Sequence, residues 1–146
     1  MKLIIIGEPK GKQSAKFHRI GNFVKSYQPQ DVIKNENNIR AQIVTQLPKD
    51  FVLWTKGVRV KSLLYVFTPL KTLKKSFRKV IDNGGYLYKT TKPDLTDNLN
   101  KSLFDAMQGV VYENDSLICD TCNVRKVYGR MPRIEIEMEE IDELSF

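Results

Sequence analysis

Residues 2–6, Lys-Leu-Ile-Ile-Ile, form a short β-branched run closed by Gly7, which predicts a first strand. From Glu8 to about Gln30 the chain is polar, with Lys10, Lys12, Lys16, His18, Arg19 and Lys25 set among Gly and Ser. This reads as a long basic loop, and long loops in small domains are usually functional or mobile. Apolar residues then recur at helical spacing. Val32, Ile33, Ile39, Ile43 and Leu47 predict a helix capped by Asp31, buried along that stripe and ended by Pro48. Residues 58–67 read as a second strand. The stretch Lys71, Lys74, Lys75, Arg78 and Lys79, interleaved with Leu73 and Phe77, has two readings. It is a solvated helical face, or a grip on phosphates with an aromatic to stack. Asn83-Gly84-Gly85 and residues 86–92 read as a flexible connection. A second helix runs from Asp94 or Leu95 to Gln108 and stops at Gly109. Short strands follow near 110–112, 117–128 and 133–139. The fold class is α+β: one domain over residues 1–146, with a mixed sheet covered by two main helices.

Length permits this, because 146 residues suffice for one hydrophobic core without disulfides or structural metal. No run approaches the ~20 apolar residues of a membrane span. The run Leu3–Ile6 is too short for a signal segment, so a cytoplasmic location is expected. Charge adds more. The net charge is +7, yet residues 1–132 hold 23 bases against 11 acids, and six acids crowd the last twelve residues. A body of +12 with an acidic C-terminal strand and tail (133–146) suits a polyanion binder, because phosphate neutralisation releases condensed counterions. Cys119 and Cys122 have C-x-x-C spacing, but a strand would point them to opposite faces. His18 is the single histidine, so a four-ligand zinc site cannot be assembled. Buried or half-buried thiols are the expectation.

The candidate chemistry lies in Lys92-Pro-Asp-Leu-Thr-Asp-Asn-Leu-Asn-Lys-Ser-Leu-Phe-Asp-Ala-Met-Gln108. At 100° per residue, Leu95, Leu99, Leu103, Ala106 and Met107 share one face, and Asp97, Lys101, Asp105 and Gln108 the other. One reading is structural: Asp94 is an N-cap, Asp97 favours the helix dipole, and Lys101 pairs with Asp97. The other is catalytic. Mg²⁺ prefers oxygen ligands and keeps several waters, so two or three carboxylates hold it. On such a cluster it would activate water and neutralise a phosphate, with a lysine adding positive charge. Asp115, in the turn Glu113-Asn114-Asp115-Ser116, is the best third acid, although Asn-Asp-Ser is also ordinary turn chemistry.

Lys92-Pro93-Asp94, Asp97-Asn98, Lys101, Phe104-Asp105-Ala106 and Tyr112-Glu113-Asn114-Asp115-Ser116 resemble the signature of the RusA family of Holliday junction resolvases. The opening Gly7-Glu8-Pro9-Lys10-Gly11-Lys12 fits less specifically. The resemblance implies a RusA-like fold and a metal-dependent endonuclease that cleaves four-way DNA junctions in recombination and repair. It implies that Asp94, Asp97 and Asp115 are catalytic Mg²⁺ ligands (Mn²⁺ can substitute), that Lys101 is the catalytic lysine, and that Asn98 supports the metal site. Asp105 matches an acid given only a structural role. A homodimer on branched DNA is implied, and phosphate contacts are expected from Lys10, Lys12, Lys16, Arg19, Lys71, Lys74, Lys75, Arg78, Lys79 and Lys92. Two departures stand out. Thr96 is one residue more than the family's D-x-D-N spacing, so the acids are expected to straddle a loop–helix boundary. Asn114 stands where the family often has an acid. A non-catalytic branched-DNA-binding module of the same fold, or a broader flap and fork nuclease, are the alternatives.

Overall fold

The computed structural model describes residues 1–12 and 16–142. Its frame is a six-stranded mixed sheet. The strands are β1 (Lys2–Ile6), β4 (Gly57–Phe67), β5 (Leu87–Tyr88), β6 (Ile118–Thr121), β7 (Val124–Tyr128) and β8 (Arg133–Ile141). The order is β1-β8-β4-β7-β5, and β6 pairs with the first part of β4. β4 is therefore central: β8 runs antiparallel on one side, and β6 then β7 run parallel on the other. Strand 117–128 of the sequence reading is broken in two, because Asn123 adopts a positive φ of 49° between β6 and β7. Residues 110–112 form a turn with isolated bridges rather than a strand.

The strand expected at 133–139 is present as β8 and runs on to Ile141. β8 alternates Ile134, Ile136 and Met138 into the core with Glu135, Glu137 and Glu139 on the opposite face, the period-two pattern of a half-buried strand. Those acids meet Arg133, Lys61 and Arg59 respectively. These three acids are thus matched by bases on the same sheet.

Helix α1 (Gln30–Gln46) and helix α3 (Lys101–Met107) pack on one face of the sheet. α1 starts two residues earlier than predicted. Pro29 occupies the cap position and no side chain caps it, so Asp31 lies in the first turn instead. Val32, Ile39 and Ile43 face the core, but Ile33 is exposed, so the buried stripe is narrower than expected. The same helix covers the open edge of β1. Gln42 exchanges two hydrogen bonds with the backbone of Ile6, and Gln46 two with Ile4. The match is geometric: four residues of helix rise about 6 Å, and two residues of strand about 6.6 Å. An edge strand otherwise exposes unpaired donors and acceptors.

One further element departs from the sequence reading: the basic loop 8–30 contains a hairpin, β2 (Lys16–Ile20) and β3 (Phe23–Tyr27), which among the described residues pairs only with itself. The 71–79 cluster leads into a third helix, α2 (Lys75–Asp82), which carries the solvated helical face of the first reading over buried Ile81. Both cysteines are free thiols and exposed, not buried: Cys119 lies on β6, which among the described residues pairs only with the first part of β4, and Cys122 in the turn after it.

Candidate active site

The signature segment does not form one α-helix. It enters through a π-helical stretch, Leu95–Asn100, and tightens into α3 at Lys101. The first backbone bond runs from Leu99 N–H to Asp94 carbonyl, five residues back. Such widened turns inside helices often mark functional sites. One added residue per turn is what Thr96 requires: it is absorbed without shifting the apolar stripe, so Leu99, Leu103, Ala106 and Met107 stay buried. Tyr65 Oη, deep under the helix, donates to Asn100 Oδ1 at 2.9 Å and fixes the segment on the sheet. Burial pushes the Tyr65 hydroxyl well above its ordinary pKa, so it stays a donor.

The structural reading of the two acids is realised in part: Asp94 holds the cap position and Asp97 lies in the first turn, where it favours the helix dipole, but the side-chain cap and the ion pair are missing. Asp94 has extended backbone at the cap position, but its side chain caps nothing. Asp97 and Lys101 form no ion pair among the described residues, and all three side chains are exposed. Asp94 and Asn98 line a cleft of about 450 Å³ with Gly11, Lys92 and Pro93.

Asn98 has a specific task. Its carbonyl accepts from Lys12 N–H at 3.1 Å, and its Nδ2 donates to the Lys12 carbonyl at 3.0 Å. These two bonds clamp the Gly11-Lys12 backbone against the acid-bearing turn. Gly11 fits only because it lacks a side chain: a Cβ there would stand 2.8 Å from Asn98 Cβ and 3.1 Å from Pro93 Cβ. Sequence reasoning placed Gly11 in a signature opening but gave it no role.

Lys12 corrects the DNA-contact set. Its ammonium lies 2.9 Å from both Glu36 and Asp105, with its side chain only 12% exposed. Burial alone would lower its pKa, but Asp105 and Glu36 hold it above the ordinary lysine value. It is an internal tie between loop, α1 and α3, not a free phosphate ligand. Asp105 has the structural role expected of it. Lys71, Lys74, Lys75, Lys79 and Lys92 are exposed and form no ion pair among the described residues. Arg78 is exposed too, although it also donates to the Leu70 carbonyl. Lys10 is exposed beside α1, and Arg19 lies on the hairpin with exposed Phe17 and Phe23. Lys16 falls in the hairpin register, but its side chain lies outside the described set.

Asp115 is placed apart. It opens a 3-10 turn, Asp115–Leu117, that Asn114 caps by accepting from Ser116 N–H at 2.9 Å. The amide of Asp115 donates to Gln108 Oε1, at the C-terminal end of α3. Segments of 6 and 7 residues separate that end from Asp94, a rod of about 20 Å. The neighbour of Asp115 is buried Tyr112, whose hydroxyl donates to the Phe104 carbonyl at 2.7 Å. Burial, then the charges of Asp115 and Asp105, push the Tyr112 pKa far up. Among the described residues, no three Asp, Glu, His or Cys side chains are grouped to hold a metal. One chain therefore brings Asp94, Asp97, Asn98 and Lys101 to one helix entrance and Asp115 to the opposite end. The donor chemistry at the entrance, carboxylate and amide oxygens, suits a hard cation such as Mg²⁺.

The segment before Asp94 is anchored from β7. Lys126 Nζ donates to the carbonyls of Thr91 at 2.6 Å and Pro93 at 2.8 Å. Lys89, on β5's continuation, donates to Thr91 Oγ1 at 2.7 Å and Tyr128 Oη at 3.2 Å. Burial would raise the Tyr128 pKa, but hydrogen bonds from Thr91 and Lys89 and two lysine charges bring it below the usual value.

Among the described residues no helix is long and apolar enough to cross a membrane. The family model described as Endodeoxyribonuclease RusA matches residues 7–139. The chain is 31% identical over 107 residues to the crossover junction endodeoxyribonuclease rusA of Lactococcus phage r1t, covering 73% of this chain and 72% of that one. It is 40% identical over 57 residues to the uncharacterized protein YqaN of Bacillus subtilis (strain 168), covering 39% of each chain. With the signature segment, its widened turn and its free acids in place, the match over residues 7–139 decides the family: the chain belongs to the RusA endodeoxyribonucleases.

Proposed function

We propose that this protein is a Mg²⁺-dependent endonuclease that cuts four-way DNA junctions in recombination and repair. The observation that carries the reading is the pair of exposed carboxylates, Asp94 and Asp97, without ion-pair partners among the described residues, beside Lys101 at a widened helical turn. Asp94 and Asp97 would hold the ion with Asn98 nearby. Bound Mg²⁺ would supply an activated water and charge neutralisation at the phosphate. Lys101 places a further positive charge where negative charge develops. The exposed lysines of α2, Lys92 and the hairpin give phosphate contacts that position DNA without reading its sequence.

Because one chain separates Asp115 from the other acids, the proposal requires a second copy. In a two-fold dimer, the partner's Asp115 completes the set, and an isologous interface repeats it twice. A four-way junction has matching two-fold symmetry, so two equivalent sites suit paired nicks.

The test is a labelled four-way junction incubated with the purified protein, with and without Mg²⁺. Cleavage at paired positions, only with metal, is the expected result. Asp94→Asn, Asp97→Asn and Asp115→Asn should each stop cutting and retain junction binding. DNA shifted but never nicked by the wild type would mark a non-catalytic binding module. Equal cutting of flaps and forks would mark a broader nuclease.

A further inference from the structure

Lys126 lies on β7, 25 residues beyond the signature lysine, in a stretch the sequence marks only as strand. Its surroundings are unusual for a lysine. The Lys126 carbonyl accepts from Lys89 N–H at 3.0 Å, which sets the two lysines opposite each other across the β5–β7 ladder. Like charges directly opposed on a sheet are destabilising. Neither forms an ion pair with an acid among the described residues. Backbone carbonyls satisfy the Lys126 ammonium instead. Those carbonyls belong to Thr91 and Pro93, and Pro93 is directly followed by Asp94. On the other side of Asp94, its own carbonyl accepts the first bond of the π-helical turn, from Leu99. Asp94 therefore lies between two fixed points, one made by Lys126 and one by the helix.

We propose that Lys126 is a positioning residue for Asp94. Its ammonium holds the Thr91 and Pro93 carbonyls, fixes the direction in which the chain enters the π-helical turn, and so sets where the Asp94 carboxylate stands in the cleft. The claim rests on the nuclease reading above. It adds that the metal site depends on a strand residue that touches neither metal nor DNA. A supporting group of this kind typically affects metal affinity or activity by about 10–100-fold.

The experiment compares wild type, Lys126→Met and Lys126→Arg in three measurements. Hydrogen exchange reads the Leu99 amide, Mn²⁺ electron paramagnetic resonance reads metal affinity, and four-way-junction assays read binding and turnover separately. Lys126→Met is expected to speed Leu99 exchange, weaken Mn²⁺ binding about tenfold and slow turnover about a hundredfold, with junction affinity within about threefold. Lys126→Arg, which keeps charge and donors, is expected to recover most of each loss. If exchange at Val58 and Met138 rises along with Leu99, the change is general loosening and the specific role is overturned. If Lys126→Met matches wild type in all three measurements, the role of Lys126 is rejected alone. A wild type that neither cuts junctions nor binds Mn²⁺ rejects the nuclease reading itself, whatever Leu99 does.

Discussion

Gly11 and Asn98 approach so closely that a methyl group on Gly11 would stand 2.8 Å from Asn98 Cβ. Two hydrogen bonds between Asn98 and Lys12, one donated by each, hold that approach. Gly11→Ala must therefore move backbone at the edge of the cleft. Overpacking of this kind costs about 1–3 kcal/mol. The expected result is a lower melting temperature and at least a tenfold loss of junction cleavage, a displacement of about an ångström being enough to slow chemistry strongly. Unchanged melting and cleavage would show that the loop tolerates displacement.

Lys12 and the lysines of α2 should separate cleanly. Lys12→Met leaves Glu36 and Asp105 without their shared cation. That should cost about 2 kcal/mol at pH 7, between the exposed and fully buried cases. The pH dependence follows from the raised pKa. The bridge contributes fully below the ordinary lysine value of 10.5 and fades as pH climbs through the higher folded-state value. Denaturation across pH 7 to 11 should show wild type converging on the variant at the alkaline end.

On DNA the order reverses. Lys75→Ala and Lys79→Ala should each lower the salt slope of junction binding by about one. Lys12→Met should leave that slope unchanged. A slope reduced equally by Lys12→Met would return Lys12 to the DNA-binding set.

Deleting Thr96 should convert the π-helical turn toward an ordinary helix and rotate Asp97 against Asp94. Circular dichroism and melting should change little, since Leu99, Leu103 and Met107 keep their places. The deletion also restores the family's D-x-D-N spacing, so cleavage should persist within about tenfold. A loss of a hundredfold or more would mean that the wide turn itself sets the acid geometry.

Mixed dimers test the shared site. Asp94→Asn and Asp115→Asn are each expected to be inactive alone. Mixed, they should form heterodimers with one intact site, and single nicks should return. No activity on mixing would place all three acids in one protomer's site.

The apolar stripes of α1 and α3 were legible because burial on one helix face imposes a period that side chains must obey. Ile33 misled because a sequence stripe has no sharp border, whereas a helix on a flat sheet does. The hairpin 16–27 escaped notice because it buries little: Phe17 is 73% and Phe23 80% exposed, so neither a core face nor a polar face declares itself. Asp94, Asp97 and Lys101 were found together because they are local in sequence. The clamp of Asn98 on Lys12 and the bonds of Lys126 to Thr91 and Pro93 join distant segments through backbone carbonyls, and residue type does not reveal such partners. The distance of Asp115 follows from a helix length, which spacing alone cannot convert into direction.

The place of β8 between β1 and β4 has a consequence for how the molecule comes into being. While a ribosome is still translating residues up to 132, β1 has no strand to pair with, and β4 lacks its longest neighbour. The sheet that seats the acid-bearing helix can close only after residues 133–141 have emerged. Nascent chains should consequently be unable to cut or grip DNA during synthesis, and folding should be slow for a domain of this size, as long-range pairings dictate.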